Sequence, residues 1–510
     1  MLNASVPSLQ PLPLRSALAL SALSGLLFVP GFPPVGWWPC TLVAFAPLYR
    51  ALAGQTPARA LLLGWTSLFL SSTLVFSWLV GTLRAFGGLP LPLAILGLLL
   101  LSAWHGLRLG LATALAVRAE GRGWPAAPTF AVSVLALEWL FPLIFTWNLA
   151  TAMGDNGALL QSAELGGPLL VDLLILGPSL ALGELWRSRA EGRSPSAAVV
   201  GVGLMLPALA AGWGVIRMGQ ITERQAGAPE LRVGLVQPNV RTGGDAAVSD
   251  LQASTRALAA AGAELVVWPE TAIHTSYNDL TYQKTIPEQV TGSLGIPTIF
   301  GVRTWRLGAT EGAPKVRHNS VMLAARDGSI LGRYDKHRLL VFGEYTPFSE
   351  ILPAWASGLV RGGRYTPGVG PQPLEWDGHR VQALVCYEDI LAGFVNEQVA
   401  ASQPDLLVNL TNDAWFGDSA EPWIHQAEAR LRAIEHRRFL VRATNSGPSG
   451  VVDATGTATQ LGGLFVAEDR IVHVRLLQGG TLYERVGDAV GWISSLVVAL
   501  LLLLRPREHR

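Results

Sequence analysis

The sequence predicts a polytopic α-helical membrane domain joined to an α/β domain. Three observations predict it. The chain is 50% hydrophobic and 15% charged, with mean hydropathy +0.35, whereas a soluble globular chain carries about 25% charged residues. Long apolar runs separated by short loops fill residues 1–220. From Pro229 onward, short β-branched runs alternate with amphipathic segments, the pattern of a sheet covered by helices. The 510 residues accordingly divide into a membrane domain of about seven spans (1–220), an α/β domain (229–477) and a C-terminal span (487–505).

A membrane-crossing helix needs about 20 mostly apolar residues. The candidate runs are Leu14–Val29, Gly36–Leu52, Ala60–Leu83, Leu89–Val117, Trp124–Phe145, Leu159–Leu185 and Ala197–Ile216, then Val490–Leu504 near the end. The first is expected to be retained, because no small-residue cleavage site precedes the next span and GFPPVGWW has the composition of a turn between helices. Arg50, Arg59, Arg118, Arg122, Arg187, Arg189 and Arg193 stand in alternate loops, with Arg15 before the first span and Arg505, Arg507 and Arg510 after the last. The positive-inside rule makes those loops cytoplasmic and puts the α/β domain on the outer face. Trp37 and Trp38 suit an interfacial belt. Trp147, in FTWNLATAM, is a candidate substrate-binding residue on a lipid entry route. Glu138 and Glu164 stand within or beside spans, where a carboxylate is a functional candidate by default.

Composition excludes other classes. The net charge of +1 provides no field for nucleic acid, and no basic patch with interleaved aromatics occurs. The two cysteines, Cys40 and Cys386, stand in regions of different character, which argues against a disulfide framework. Neither CxxC nor HExxH is present, so no metal is expected, and no cofactor is expected either. Lysine occurs only at Lys284, Lys315 and Lys336; unlike arginine, lysine has a pKa that its surroundings can adjust.

Within the α/β domain, residues 231–240 predict a strand and Asp250–Ala261 a helix. Strands are expected at 264–271 and 297–305, with a helix over Thr281–Leu294 between them. A hairpin turns at Asp327-Gly328. Val381–Ile390 (VQALVCYEDI) is a strand, Leu391–Ala400 a helix, 405–417 a strand and Pro422–Arg438 a long helix. Three strands close the domain.

Three of these stretches end in chemistry. Glu270 closes VVWPE, Cys386 follows ALV, and Lys336 stands in GRYDKHRLLVFGEYTPF. Singly, Cys386 suits a core position, Glu270 a surface or helix-end carboxylate and Lys336 a solvated loop. Jointly they supply nucleophile, base and cation for acyl transfer through a thioester. A thiol has a pKa of about 8.5 and reacts as thiolate; a carboxylate can take its proton and an ammonium can stabilise thiolate and oxyanion.

WPE, KxxLLVFGEYTPF, CYED and NLTNDAWFG, in this order, resemble the nitrilase superfamily over about Leu231–Leu476. The resemblance implies an α-β-β-α sandwich with a Glu-Lys-Cys triad, matched by Glu270, Lys336 and Cys386. It also implies supporting roles for Glu344, Glu388 and Asn319, and an apolar lipid-facing segment at Trp415 and Phe416, for which ordinary packing is the competing reading; Tyr387, next to Cys386, is a further substrate-binding candidate. Spans on both sides of the domain make the chain similar to the membrane-integrated members that N-acylate bacterial lipoproteins. The resemblance then implies a phospholipid acyl donor (phosphatidylethanolamine, through its sn-1 ester), a diacylglyceryl-apolipoprotein acceptor, and a place in the cytoplasmic (inner) membrane facing the periplasm. Two departures stand out. Val341 replaces the usual proline, and VQPNVRTGGD lacks a tryptophan that relatives often carry. The competing expectations are a membrane-anchored carbon-nitrogen hydrolase acting on a small substrate, against which the two-sided anchoring weighs, and a transporter or scaffold with an inactive domain, against which the intact triad weighs.

Overall fold

The structure, a computed structural model, describes residues 10–240, 247–308, 315–345, 365–459 and 461–504. The apolar stretch 349–359, which the sequence offers as a candidate for excluding water from the thiol, and the terminal Arg505, Arg507 and Arg510 lie outside the described residues. The chain forms two compact units, one of residues 1–81, 90–218 and 486–510, the other of residues 82–89 and 219–485.

Among the described residues, five helices are long and apolar enough to cross a membrane: Leu14–Gly31, Pro57–Val75, Leu91–Glu120, Ala163–Glu191 and Ala197–Ala226, the last continuing past Met218 into the second unit. Ala126–Leu140 and Ala489–Leu503 are shorter apolar helices. The run Gly36–Leu52 is not one helix but two, Trp38–Val43 and Ala46–Leu52. Pro47 explains the break: it has no N–H to donate, and its ring collides with the carbonyl four residues back, that of Val43. Pro57–Val75 and Leu91–Glu120 pack closely through glycines; a Cβ at Gly110 would stand 2.8 Å from the Leu61 carbonyl oxygen.

The interior of the first unit is polar in places. The Arg108 guanidinium lies 4.3 Å above the Trp147 ring and 3.7 Å from Glu138. Asp172 accepts the Ala150 N–H at 2.7 Å. Trp147 is therefore buried packing, 2% exposed and surrounded by Phe28, Phe32, Phe76 and His105, rather than an exposed lining residue. Glu138 is paired with Arg108, and Glu164 with Arg217 at 2.7 Å.

The second unit holds two sheets. The first contains β1 (Glu230–Gln237), β2 (Leu265–Val267), β3 (Ile273–Asn278), β4 (Thr298–Arg306), β5 (Val316–Ala324), β6 (Ile330–Asp335) and β13 (Glu468–Arg475), in the order β13-β1-β2-β4-β5-β6, with β3 also on β4. The second contains β7 (Leu374–Trp376), β8 (His379–Val385), β9 (Leu406–Thr411), β10 (Leu440–Thr444), β11 (Gly450–Val452) and β12 (Ala458–Thr459), in the order β12-β11-β10-β9-β8-β7.

Strand alternation sorts the side chains into layers. Leu235, Val267, Ile299 and Val321 of one sheet share a core with Val381, Ala383, Val385 and Val408 of the other. Val266, Phe300 and Met322 face the opposite way, onto Leu251 and Leu258 of α1 (Val248–Ala260). Leu384 and Leu407 face Val395 of α2 (Ala392–Ser402) and Ala429 of α3 (Glu421–His436). The result is helix, sheet, sheet, helix, the sandwich that the resemblance implies.

Several elements differ from the sequence expectation. The helix at Thr281–Leu294 is shorter: Tyr282–Ile286 is α-helical, and from Pro287 the turn widens to π geometry and ends at Thr291. Strands β3 and β7 were not expected, since IHTSYN and LEW lack apolar alternation. The strand over 381–390 stops at Val385, and the one over 405–417 stops at Thr411; each continues as a 3-10 turn.

Candidate active site

The corner at Cys386 is built by its neighbours. β8 is buried on both faces up to Val385, and Cys386 then takes φ +53°, a region that costs a non-glycine residue about 1 kcal/mol or more. Two hydrogen bonds hold the turn. Asn409 of β9 donates to the Cys386 carbonyl at 2.9 Å, and the Val385 N–H donates to Glu388 at 2.8 Å. Cys386 thereby turns off the strand end, and the residue is 9% exposed.

Glu388 is the centre of this construction. It is fully buried and accepts from the N–H groups of Val385, His337 and Arg338 at 2.8, 2.8 and 2.9 Å, and from the Tyr334 hydroxyl at 2.9 Å. Tyr334 belongs to β6 in one sheet and Val385 to β8 in the other. One carboxylate therefore ties the Cys386 turn to the segment that carries Lys336. Burial pushes the Glu388 carboxyl up to about 7, against the pull of Lys336 and the backbone N–H groups.

Lys336 follows β6, its N–H held by the Asn319 carbonyl at 2.8 Å. Its Nζ lies 2.9 Å from Glu344, 3.7 Å from Glu270 and 5.4 Å over the Tyr387 ring. Glu270 sits beyond β2, against β4, where a Cβ on Gly301 would come within 2.8 Å of the Glu270 Cα; only glycine permits that approach. Asn319 of β5 donates to Glu270 at 2.8 Å and to Glu344 at 3.0 Å, so one amide sets the spacing of two carboxylates. Glu344 also accepts the Leu340 N–H at 2.8 Å. The turn at 340–345 tolerates Val341 in place of proline: Val341 bridges to Tyr345, and Phe342 takes φ +65°.

These placements set the protonation states. Burial raises the Cys386 thiol well above its ordinary value; Glu270 raises it further, and Lys336 opposes them. Burial disfavours the Lys336 ammonium, yet Glu344, Cys386 and Glu270 hold its pKa well above the ordinary range. Burial also raises Glu270, partly offset by Lys336. The resting site thus pairs a neutral thiol and a charged ammonium with a carboxyl made more basic, suited to accepting a proton.

Glu270, Lys336, Glu344, Asn319, Glu388 and Cys386 are brought together, and Tyr387 borders them, its hydroxyl on the Leu339 carbonyl at 2.8 Å. Trp415 is 46% exposed and packs on Phe86 with ring centroids 4.4 Å apart, while Phe416 is half-buried. Trp147 belongs to the other unit, inside its packing.

Sequence reasoning missed a buried polar cluster behind the thiol. His425 bridges Asp389 at 2.8 Å and Asp413 at 3.2 Å, and Arg442 stands 3.7 Å from each of those carboxylates. The one available signal was the presence of acids in CYED and NLTND, within strand-end stretches that are otherwise buried. Asp413, Glu421 and His425 have the spacing of a metal site. Both ring nitrogens of His425 are already engaged, however, and His425 and Arg442 supply the positive charge. Burial disfavours the imidazolium, but Asp389 and Asp413 together outweigh it and raise the His425 pKa well above its ordinary value. The cluster does not fit a divalent cation.

Comparison with known proteins is consistent along the chain. A family model described as apolipoprotein N-acyltransferase N-terminal domain matches residues 24–181, and one described as carbon-nitrogen hydrolase matches residues 232–465. An apolipoprotein N-acyltransferase of Geobacter metallireducens is 29% identical, over 99% of this chain and 98% of that protein. One from Azotobacter vinelandii is 32% identical, over 97% and 95%. Among solved structures, an amidase from Nesterenkonia sp. is 20% identical over 51% of this chain and 94% of that one, with a TM-score of 0.35.

Proposed function

This chain belongs to the apolipoprotein N-acyltransferase family, and from that premise we propose how its residues carry the reaction. An acyl chain passes from a membrane phospholipid to Cys386 and then to the α-amino group of the diacylglyceryl-cysteine that begins an apolipoprotein. In the first step the Cys386 sulfur attacks the ester carbonyl while Glu270 takes the thiol proton. The Lys336 ammonium stabilises the oxyanion. Collapse breaks the ester C–O bond, Glu270 returns the proton to the glycerol oxygen, and lysophospholipid leaves.

In the second step the neutral acceptor amine attacks the thioester. A free α-amino group has a pKa of about 7.7–8.0, so the neutral form is accessible near pH 7. Glu270 takes the amine proton, the C–S bond breaks, the amide forms, and the sulfur recovers its proton. Asn319 and Glu344 orient the base and the cation, and Glu388 holds the corner. The exposed ring of Trp415 and the half-buried Phe416 suit an apolar approach to the thiol. The arginine distribution favours an inner-membrane protein whose second unit faces the periplasm.

The observation that carries this reading is the convergence of the three groups, with Lys336 3.7 Å from Glu270 and the charges of both acting on the Cys386 thiol, in a chain with five membrane-length helices among the described residues. Intact-mass measurement after incubation with phosphatidylethanolamine is expected to find one acyl adduct on Cys386, absent from C386A. Full lipoprotein N-acylation by C386A would refute it. No adduct together with turnover of small amides would favour a hydrolase.

A further inference from the structure

Strand register extends the row of active-site groups by one residue. Arg303 of β4 pairs directly with Asn319 of β5, and Lys336 hydrogen-bonds back to Asn319 from the next segment. Directly paired residues on neighbouring strands share a face. Arg303 has the parity of Ile299, and Asn319 that of Val321, both in the core between the sheets. Arg303 therefore stands on the catalytic face, one strand out from the amide that holds Glu270 and Glu344.

The guanidinium is placed but not neutralised. Nη2 donates to the His274 carbonyl at 2.8 Å, which fixes its position on β3. Nε is buried without a hydrogen-bond partner. Among the described residues no carboxylate lies within ion-pairing distance of Arg303, in contrast to Arg333, which has Asp279 and Asp335 at 2.8 and 2.7 Å. The guanidinium also interacts with the Tyr365 hydroxyl, by charge and by a side-chain hydrogen bond, and that hydroxyl feels Glu344 and Glu270 as well. The side chain is half-buried, accessible to a ligand while shielded from full solvent screening. A fixed, planar donor set lacking an acid partner suits a phosphate oxyanion.

We propose that Arg303 is the phosphate-docking residue of the acyl-donor site, binding the phosphodiester of the phospholipid while Cys386 attacks its ester. This rests on the acyl-transfer reading above. A charge-assisted pair removed from one donor and not from another changes their relative rates by about 10- to 100-fold.

The test uses the full chain in detergent micelles and measures Cys386 acylation from phosphatidylethanolamine and from p-nitrophenyl palmitate, an acyl donor without phosphate. R303Q is expected to lower the ratio of the two rates by about 10- to 100-fold, seen mainly in KM for the phospholipid, and R303K to recover part of it. An unchanged ratio, whether both rates fall together or neither falls, overturns the proposal. Failure of the unsubstituted chain to be acylated by phospholipid instead overturns the acyl-transfer reading, and the docking role with it.

Discussion

Replacing Glu388 with glutamine separates the support of the site from its chemistry. The carboxylate accepts His337 and Arg338 N–H on one oxygen and Val385 N–H on the other, with Tyr334 spanning both. An amide nitrogen cannot accept, so either orientation of the substituted side chain leaves at least one buried N–H unpaired, at about 1–3 kcal/mol. The surviving bonds lose their charge assistance, about 1 kcal/mol each. E388Q is therefore expected to destabilise the second unit by about 2–5 kcal/mol. Because the two ends of this staple carry Lys336 and Cys386, the thiol acylation rate should fall about 100-fold, the effect of roughly 1 Å of misplacement. Y334F removes a hydroxyl and keeps every backbone bond, so it should cost only about 1 kcal/mol. The assay is the rate of Cys386 acylation, with thermal melting beside it. The pH dependence of Cys386 alkylation by iodoacetamide adds a readout that a purely structural residue would leave in place. Acylation by E388Q within about twofold of the unsubstituted chain, with an unshifted alkylation profile, would refute the reasoning.

Two further outcomes follow from the same geometry. Glu388 has its pKa pushed up to about 7, and Glu270 is raised by burial, while both must be ionised to act; acylation should fall as pH drops through about 7, by about tenfold per unit, and a flat profile down to about pH 5 would contradict it. H425Q removes the cation between Asp389 and Asp413 and leaves only Arg442, at 3.7 Å, to offset them; breaking such a buried pair costs about 3–5 kcal/mol, so an unchanged melting temperature would show that the cluster does not stabilise the domain.

Much of this site was legible in the chain. Glu270, Lys336 and Cys386 each follow a strand that the apolar pattern marks, and a strand end is where a side chain can turn out of the core of a covered sheet. Glu388 and Asn319 entered only through resemblance, because no local pattern distinguishes a carboxylate that accepts four neighbours from one that faces water. For the cluster around His425 the chain shows acids in CYED and NLTND but not that they meet His425, 36 and 12 residues away. Trp147 illustrates the opposite error: its polar neighbours suggested an exposed segment, but the Arg108 guanidinium satisfies the ring from within the helix packing.

By itself the sequence determined the long apolar runs and the alternation of strands and helices. These follow from hydropathy and periodicity, which are properties of consecutive residues. Only the tertiary structure decided that Cys386 leaves its strand at φ +53°, that Asn319 spaces two carboxylates, and that Glu388 joins the sheets. Those outcomes depend on hydrogen bonds between residues far apart in the chain, Asn319 with Glu270 at 49 positions and Tyr334 with Glu388 at 54. Such partners are chosen by the packing of the two sheets, where a buried donor or acceptor must find its complement.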